Sequence, residues 1–497
     1  MKLTDEARAI ELKSPPKTSC SSSSRAPSPE SSMLASPAEG RAGGRPAKPL
    51  TEQEKMRLKQ QFNESWLNAV IGKYPAKLHA RKVAKELDVP SGLIFLPGQL
   101  EKTYEDSDMG PAFRQRRYFY YVTGADFAGC SATYDIARDH LVLWIPYTDP
   151  KNVLWLGRTP TIAEARELST VDDVRLASGL DRFLFTALSP GSTLFLLHAD
   201  QSPKLDITKG VVHIDTVKLK PAMDAARVIK TEYEIAMIRR ANAVSSGAHR
   251  AVLARVKKLS NEREIDAIFR GFCTAQGAKR QAYPVIAGSG PNAATLHYGA
   301  NDQPLTGRQL VCLDAGAEWR CYAADITRTF PISGVWSTEA AAIHSIVERM
   351  QTECIQRVRP GIVYATLHLH ACIVAVTELL RLGILHGGTA AEIFNRGTVT
   401  AFFPHGLGHH VGLEVHDVSG RERLLLGAMP VGNKQGAAGK RQMLSPEAVS
   451  VMYRETLAQT SPGTGPRGQA QGQIQGPPPR EKQRLEKNMV VTIEPGL

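Results

Sequence analysis

Three acidic residues interrupt stretches that otherwise have the composition of buried strands, and this limits the folds open to the chain more than any other feature. Asp314 closes Leu310-Val311-Cys312-Leu313, Asp325 lies within Tyr322 to Phe330, and Glu494 ends Met489-Val490-Val491-Thr492-Ile493. A carboxylate on a buried strand is costly unless its charge is matched. If the segment between Asp314 and Asp325 turns back as a hairpin, both side chains can face one spot, because strand side chains alternate faces. Two converging carboxylates repel, and a divalent cation converts that repulsion into attraction. Blander readings stay open at this point: Asp314 capping a turn, Asp325 paired with Arg328, and Glu494 solvated at a strand end.

A second signal is the run Pro404-His405-Gly406-Leu407-Gly408-His409-His410-Val411-Gly412-Leu413-Glu414-Val415-His416-Asp417. Its four histidines are interleaved with three glycines. Histidine is the commonest metal ligand and the usual acid or base near neutral pH, and glycine lets backbone approach closely. The alternative is a glycine loop with incidental surface histidines. Two Asp, one His and one Glu together make an oxygen-rich site with one imidazole. Such a set suits Mn²⁺ or Zn²⁺ before copper or an iron–sulfur cluster.

The 497 residues are about three times a ~150-residue domain, so two domains with loose segments are predicted. Apolar residues at 42% and charged residues at 22% exclude a chain that is disordered or fibrous throughout. The net charge of +12 is spread along the sequence, so no nucleic-acid partner is expected. No apolar run reaches 18 residues, and no membrane span is expected. Seven cysteines with no Cys-x-x-Cys fit a reducing compartment. Asp5, Glu6 and Glu11, without an apolar core, do not read as a secretory signal, so the cytoplasm is the expected location.

Residues 1–50 read as a disordered Ser/Pro-rich tail. Residues 51–220 read as an α/β domain. Its expected strands are Leu93 to Leu96, Phe119 to Val122, Leu141 to Ile145 and Thr193 to Leu197, with helices at Ile162 to Leu168 and Leu180 to Leu188. Residues 221–497 read as an α+β domain. One helical stripe runs from Ile235 to Val256, a second from Ile343 to Val358 with Ser337 as N-cap, and a third from Leu369 to Leu380 ending at Gly383. Strands are expected at Gln309 to Asp314, Tyr322 to Phe330 and Met489 to Glu494. Residues 427–480 interrupt the pattern as a low-complexity loop.

In this order, Leu313-Asp314-Ala315-Gly316, Ala324-Asp325-Ile326-Thr327-Arg328-Thr329-Phe330, the Gly-His-x-x-Gly-x-x-x-His-Asp stretch and Val491-Thr492-Ile493-Glu494-Pro495-Gly496 resemble the pita-bread metallopeptidases. Phe113-Arg114-Gln115 with Phe119 to Gly124, and Ala294-Thr295-Leu296-His297-Tyr298, are similar to the aminopeptidase P and prolidase branch, most of all to its fungal Xaa-Pro aminopeptidases. The resemblance covers roughly residues 55 to 497 and implies a pita-bread catalytic domain preceded by a smaller α/β N-terminal domain. It implies ligation of two divalent ions, Mn most of all with Zn or Co as alternatives, by Asp314, Asp325, His409 and Glu494. His297 and His416 match substrate-contacting histidines, His405 a pocket histidine, and Arg480 an arginine that reaches the substrate carboxylate; a solvated Arg480 is an equal reading. His410 has no counterpart. Glu494 would also shuttle a proton to the leaving nitrogen.

The implied activity is removal of an N-terminal residue that precedes proline. The implied partners are peptides with proline second, and a homodimer. An Xaa-Pro dipeptidase or a catalytically impaired relative are the alternatives. The family's fifth ligand, a glutamate on a later strand, has no match before the sequence stops at Leu497. That bridging glutamate and the closing strands are therefore expected to be missing, as in a truncated chain.

Overall fold

The computed structural model describes residues 72–203, 212–425 and 483–497. All of them belong to the unit Met56–Leu497. The expected tail at 1–50, the expected loop at 427–480 and Arg480 lie outside the described residues.

Helix α1 (Ala76–Leu87) buries Ala76, His79, Ala80, Val83 and Leu87, a stripe at helical spacing, and Asp88 ends it in a left-handed conformation. Strand β1 (Leu93–Pro97) follows. Phe119 to Val122, expected as a strand, forms helix α2 (Arg117–Thr123) instead. Its residues from Phe119 to Thr123 are all buried, so the run carries no periodicity that separates a strand from a helix enclosed on every side. Gly124, at φ 69°, caps it, and its amide bonds Tyr120 O.

Strands β2 (Ser131–Asp135) and β3 (His140–Ile145) precede the short helices α3 (Pro150–Leu156) and α4 (Ile162–Leu168). Then come β4 (Asp173–Leu176), α5 (Leu180–Ala187), β5 (Thr193–Phe195) and β6 (His213–Asp215). The six strands lie in the order β4-β3-β2-β1-β5-β6. β2 runs antiparallel to β1 and β3, while the β1–β5, β5–β6 and β3–β4 pairs are parallel. Leu141 to Ile145 are no more than 1% exposed, as a continuous apolar run on a sheet covered on both faces requires.

Helix α6 (Leu219–Val228) leads into α7 (Glu232–Leu253), which Thr231 and Glu234 start with a reciprocal capping box. α7 stops short of Val256, which opens a 3₁₀ turn. Helix α8 (Glu262–Ala275) packs on α7 and is followed by β7 (Arg280–Gln281) and β8 (Ile286–Ser289). The central strands are β9 (Leu310–Asp314), β10 (Ala317–Trp319), β11 (Tyr322–Ala323) and β12 (Thr327–Pro331). They form two antiparallel sheets, β11-β10-β7 and β12-β9-β8.

Tyr322 to Phe330, expected as one strand, is thus two. The two-residue turn at Arg320 and Cys321, both at positive φ, makes β11 part of a tight hairpin. The chain then breaks at Ala324–Ile326 and re-pairs as β12 on β9, so Asp325 sits in the break. Helices α9 (Thr338–Arg357), α10 (Tyr364–Arg381) and α11 (Ala390–Asn395) complete the described elements. The Ser337 side chain caps α9 as expected. One hydrophobic cluster is continuous from Tyr74 through the first sheet to α7, α8 and β9, and a second joins α9–α11 to Phe403, Leu407 and Leu485.

Candidate metal centre

Asp314 is the last residue of β9 and pairs in register with Thr327 of β12. The turn back is tight, and Ala315 N–H donates to Ile326 O at 3.1 Å. A Cβ on Gly316 would collide with the Ala324 carbonyl, so the hairpin requires glycine there. Folding the chain this way brings Asp314 and Asp325 to one phenol. The Tyr283 hydroxyl donates to Asp314 Oδ1 and lies 3.0 Å from Asp325 Oδ1. Burial first, then the charge of Asp325, pushes the Asp314 carboxyl up to about 7. The alternative pairing of Asp325 with Arg328 is not formed: the exposed Arg328 guanidinium donates to Thr327 O, and Asp325 faces His409.

His409 and Glu494 are set by a second pairing. Amides of Val411, Thr492 and Glu494 donate to the carbonyls of Val490, His409 and Leu407 at 3.1, 2.9 and 2.9 Å. Residues 407–411 and 490–494 therefore run antiparallel, although Met489 to Glu494 is not the full strand expected but one bridge, His410 with Val491. The Thr492 hydroxyl accepts from His409 N–H at 2.9 Å and donates to Glu494 Oε1 at 2.8 Å. A Cβ on Gly408 would stand 2.5 Å from Thr492 O, so only glycine permits this approach.

His409 Nε2 then lies 3.2 Å from Asp325 Oδ2 and 2.9 Å from Glu494 Oε1. Among the described residues, Asp325, His409 and Glu494 form the one group of three whose ligand atoms all lie within 4.8 Å of one another. The remaining expected histidines gather at two places. The His416 ring meets His409 edge to face at 4.2 Å, and its imidazole is pushed down by burial, then by His409 and further by His297. His405 is not one of the three: its ring is perpendicular to Phe403 at 4.9 Å, and its Nε2 lies beside Gly496. His410 is buried and bonds Gln483 Oε1 at 2.7 Å, in keeping with a structural role.

Residues 236–497 match Metallopeptidase family M24, and residues 77–195 match the aminopeptidase P N-terminal domain. The chain belongs to metallopeptidase family M24. Its architecture is the pita-bread fold of M24 preceded by the aminopeptidase P N-terminal domain. It is 54% identical over 454 residues to a probable Xaa-Pro aminopeptidase of Sordaria macrospora, covering 87% of this chain and 76% of that one. It is 54% identical over 431 residues to a probable Xaa-Pro aminopeptidase of Colletotrichum graminicola, covering 86% and 80%. Among solved structures, aminopeptidase P from E. coli in its low-pH form is 27% identical with a TM-score of 0.62, covering 70% of this chain and 82% of that one. Zn-substituted E. coli aminopeptidase P in complex with product matches at 26% identity and the same TM-score and coverage.

Membership of M24 implies divalent metal ions, and the residues present fit them. His409 Nδ1–H donates to His410 O at 2.9 Å, which leaves the Nε2 lone pair facing the carboxylates. That Nε2 forms no hydrogen bond of proper angle despite the short distances. Burial opposes charge on His409, but Asp325 and Glu494 outweigh it and push the imidazole up to about 10. Carboxylate oxygens with one imidazole are a hard-to-borderline donor set.

Three further features of this M24 site were not visible in the sequence. Tyr283 carries no charge and sits in a loop before Pro284, so nothing marked it. Asp417 is fully buried, 2.6 Å from the Arg227 guanidinium and 3.0 Å from Lys230 Nζ. Burial works against its charge, but the Lys230 and Arg227 cations prevail and hold it low, at about 2. This trio anchors the loop that carries His416. Glu414, on the same loop, receives a bidentate grip from Arg114 at 2.6 and 3.2 Å. Among the described residues no helix is long and apolar enough to cross a membrane.

Proposed function

We propose that the chain is a metal-dependent Xaa-Pro aminopeptidase, which hydrolyses the first peptide bond of peptides whose second residue is proline. The observation that carries this reading is the meeting of Asp325, His409 and Glu494, with Asp314 joined through Tyr283, in a chain whose M24 relatives are named Xaa-Pro aminopeptidases. Asp314, Asp325, His409 and Glu494 are proposed to hold two divalent ions, Mn²⁺ before Zn²⁺ or Co²⁺. Bound there, such ions polarise the scissile carbonyl and make attack by water feasible near neutral pH.

The chain's own residues do the rest. The His416 imidazole, next to His409, donates a hydrogen bond to the oxygen on which negative charge develops, with His297 assisting. Glu494 carries a proton to the departing nitrogen. Like any departing amide nitrogen, that of proline must take up a proton as the C–N bond breaks, and it leaves as a secondary amine. His405, between Phe403 and Gly496, lines the pocket for the substrate, and Arg480 is proposed to meet its carboxylate. A cytoplasmic location accords with six described cysteines that are all free. A homodimer rests on the family resemblance alone.

Incubating the chain with Mn²⁺ and either Ala-Pro-Ala or Ala-Pro tests the reading. Release of alanine from the tripeptide, lost in His409→Ala, is expected. Cleavage of the dipeptide alone would make it an Xaa-Pro dipeptidase, and no Mn²⁺-dependent cleavage of either would overturn the reading.

A further inference from the structure

The first sheet has a crevice remote from the metal ligands. Strands β1 and β5 are parallel neighbours, but their chains leave in opposite directions. β1 continues towards β2 on one side, and β5 towards β6 on the other. Where connections diverge in this way beyond the carboxyl ends of adjacent strands, nothing fills the gap between the two loops, and α/β sheets bind ligands there. In this chain the gap is a cleft of about 320 Å³, lined by Leu96 near the end of β1 and Gln99 after it, by Leu197, His198, Asp200 and Gln201 after β5, and by Arg116. Its volume lies within the range of small-molecule sites.

Gln99 Nε2 donates to Leu100 O and Tyr118 to Asp224 Oδ1, but other polar groups of this cleft lack partners among the described residues. Arg116, His198 and Asp200 make no side-chain hydrogen bond or ion pair with any described residue, and the buried Gln201 Oε1 has no hydrogen-bond partner. A buried amide oxygen left unpaired is costly and is usually satisfied by something the chain itself does not supply. A guanidinium, that of Arg116, and a carboxylate, that of Asp200, belong to residues lining one opening together with Leu96 and Leu197, both at most 5% exposed. Opposite charges set over apolar surface match a zwitterion with an apolar body.

We propose that this cleft binds a free α-amino acid with an apolar side chain, its carboxylate at Arg116 and its ammonium at Asp200 and Gln201 Oε1. Guanidinium is suited to planar, two-oxygen recognition of a carboxylate. The ligand class is also that of the residue an aminopeptidase releases, but the site is separate from the one that would release it.

Isothermal titration of the full chain with L-leucine, and in parallel with leucinamide, tests the proposal. Saturable binding of leucine is expected in the wild type and, undiminished, in His409→Ala. Arg116→Ala is expected to weaken it by about tenfold or more, and leucinamide, which lacks the carboxylate, to bind about as poorly. Should Arg116→Ala fold badly by circular dichroism, Asp200→Asn on the exposed loop serves in its place, with the same loss expected. Absence of saturable binding in the wild type overturns the proposal. So does binding that His409→Ala abolishes while Arg116→Ala and Asp200→Asn leave it intact, because the leucine would then sit at the catalytic centre.

Discussion

Tyr283 joins Asp314 at the end of β9 and Asp325 in the break before β12 through a single hydroxyl, and its phenol is held protonated by burial and then by the carboxylates around it. It therefore orients Asp314 and Asp325 without adding charge. Tyr283→Phe should lower metal affinity and activity by about 10–100-fold, as loss of an outer partner to a metal ligand generally does. Far-ultraviolet circular dichroism should be unchanged, and a drop in helix signal would show that the residue serves folding instead. Asp417 acts on stability. Removing its charge leaves Arg227 and Lys230 buried and uncompensated, so Asp417→Asn should cost about 3–5 kcal/mol in urea unfolding. Its folded carboxyl titrates near 2 against an ordinary 3.8. A depressed carboxyl contributes stability above its unfolded value, and that contribution fades as pH falls through the folded one. The wild type should thus lose stability between about pH 4 and pH 2 more steeply than Asp417→Asn. Asp314, Asp325 and Glu494 stood out in the sequence because charge on an apolar run is conspicuous, whereas His409 was picked from its four-histidine stretch by the family resemblance. Arg227 and Lys230 did not stand out, since a cation near a helix end reads as solvated until its buried partner is known.

The pairing of 407–411 with 490–494 is the element that puts an imidazole beside a carboxylate from a distant part of the chain. It depends on Gly408, whose Cα faces both Thr492 O and the Tyr364 hydroxyl. Gly408→Ala should part the two segments, destabilise the chain by about 1–3 kcal/mol and abolish Mn²⁺-dependent turnover. Retained activity in that variant would mean the pairing is dispensable. Amphipathic helices such as α7 and α9 were readable from spacing and caps. α2 was not, because Phe119 to Val122 is apolar on every side, and neither was the break at Ala324–Ile326, which comes from hairpin geometry and not from composition. That break is what frees Asp325 from the strand to face His409.

At the scale of the molecule, two regions with different sheets share one hydrophobic cluster, and Arg114 reaches from the first region to Glu414 on the His416 loop. This ion pair is half exposed, so Arg114→Ala should change stability by less than about 1 kcal/mol. Its effect should fall on kcat, through a loosened His416, and a variant with wild-type kcat would reduce the contact to surface decoration. The α+β character and the M24 family followed from the sequence, whereas the contact between regions shows only in the folded structure. The central claim, that carboxylates and one imidazole from separate segments share divalent cations, is most directly tested by titrating Mn²⁺ into the purified chain and following it by electron paramagnetic resonance. Tight binding in the wild type that is lost in both Asp325→Asn and His409→Ala is the predicted result. Equal Mn²⁺ affinity in all three proteins would contradict it.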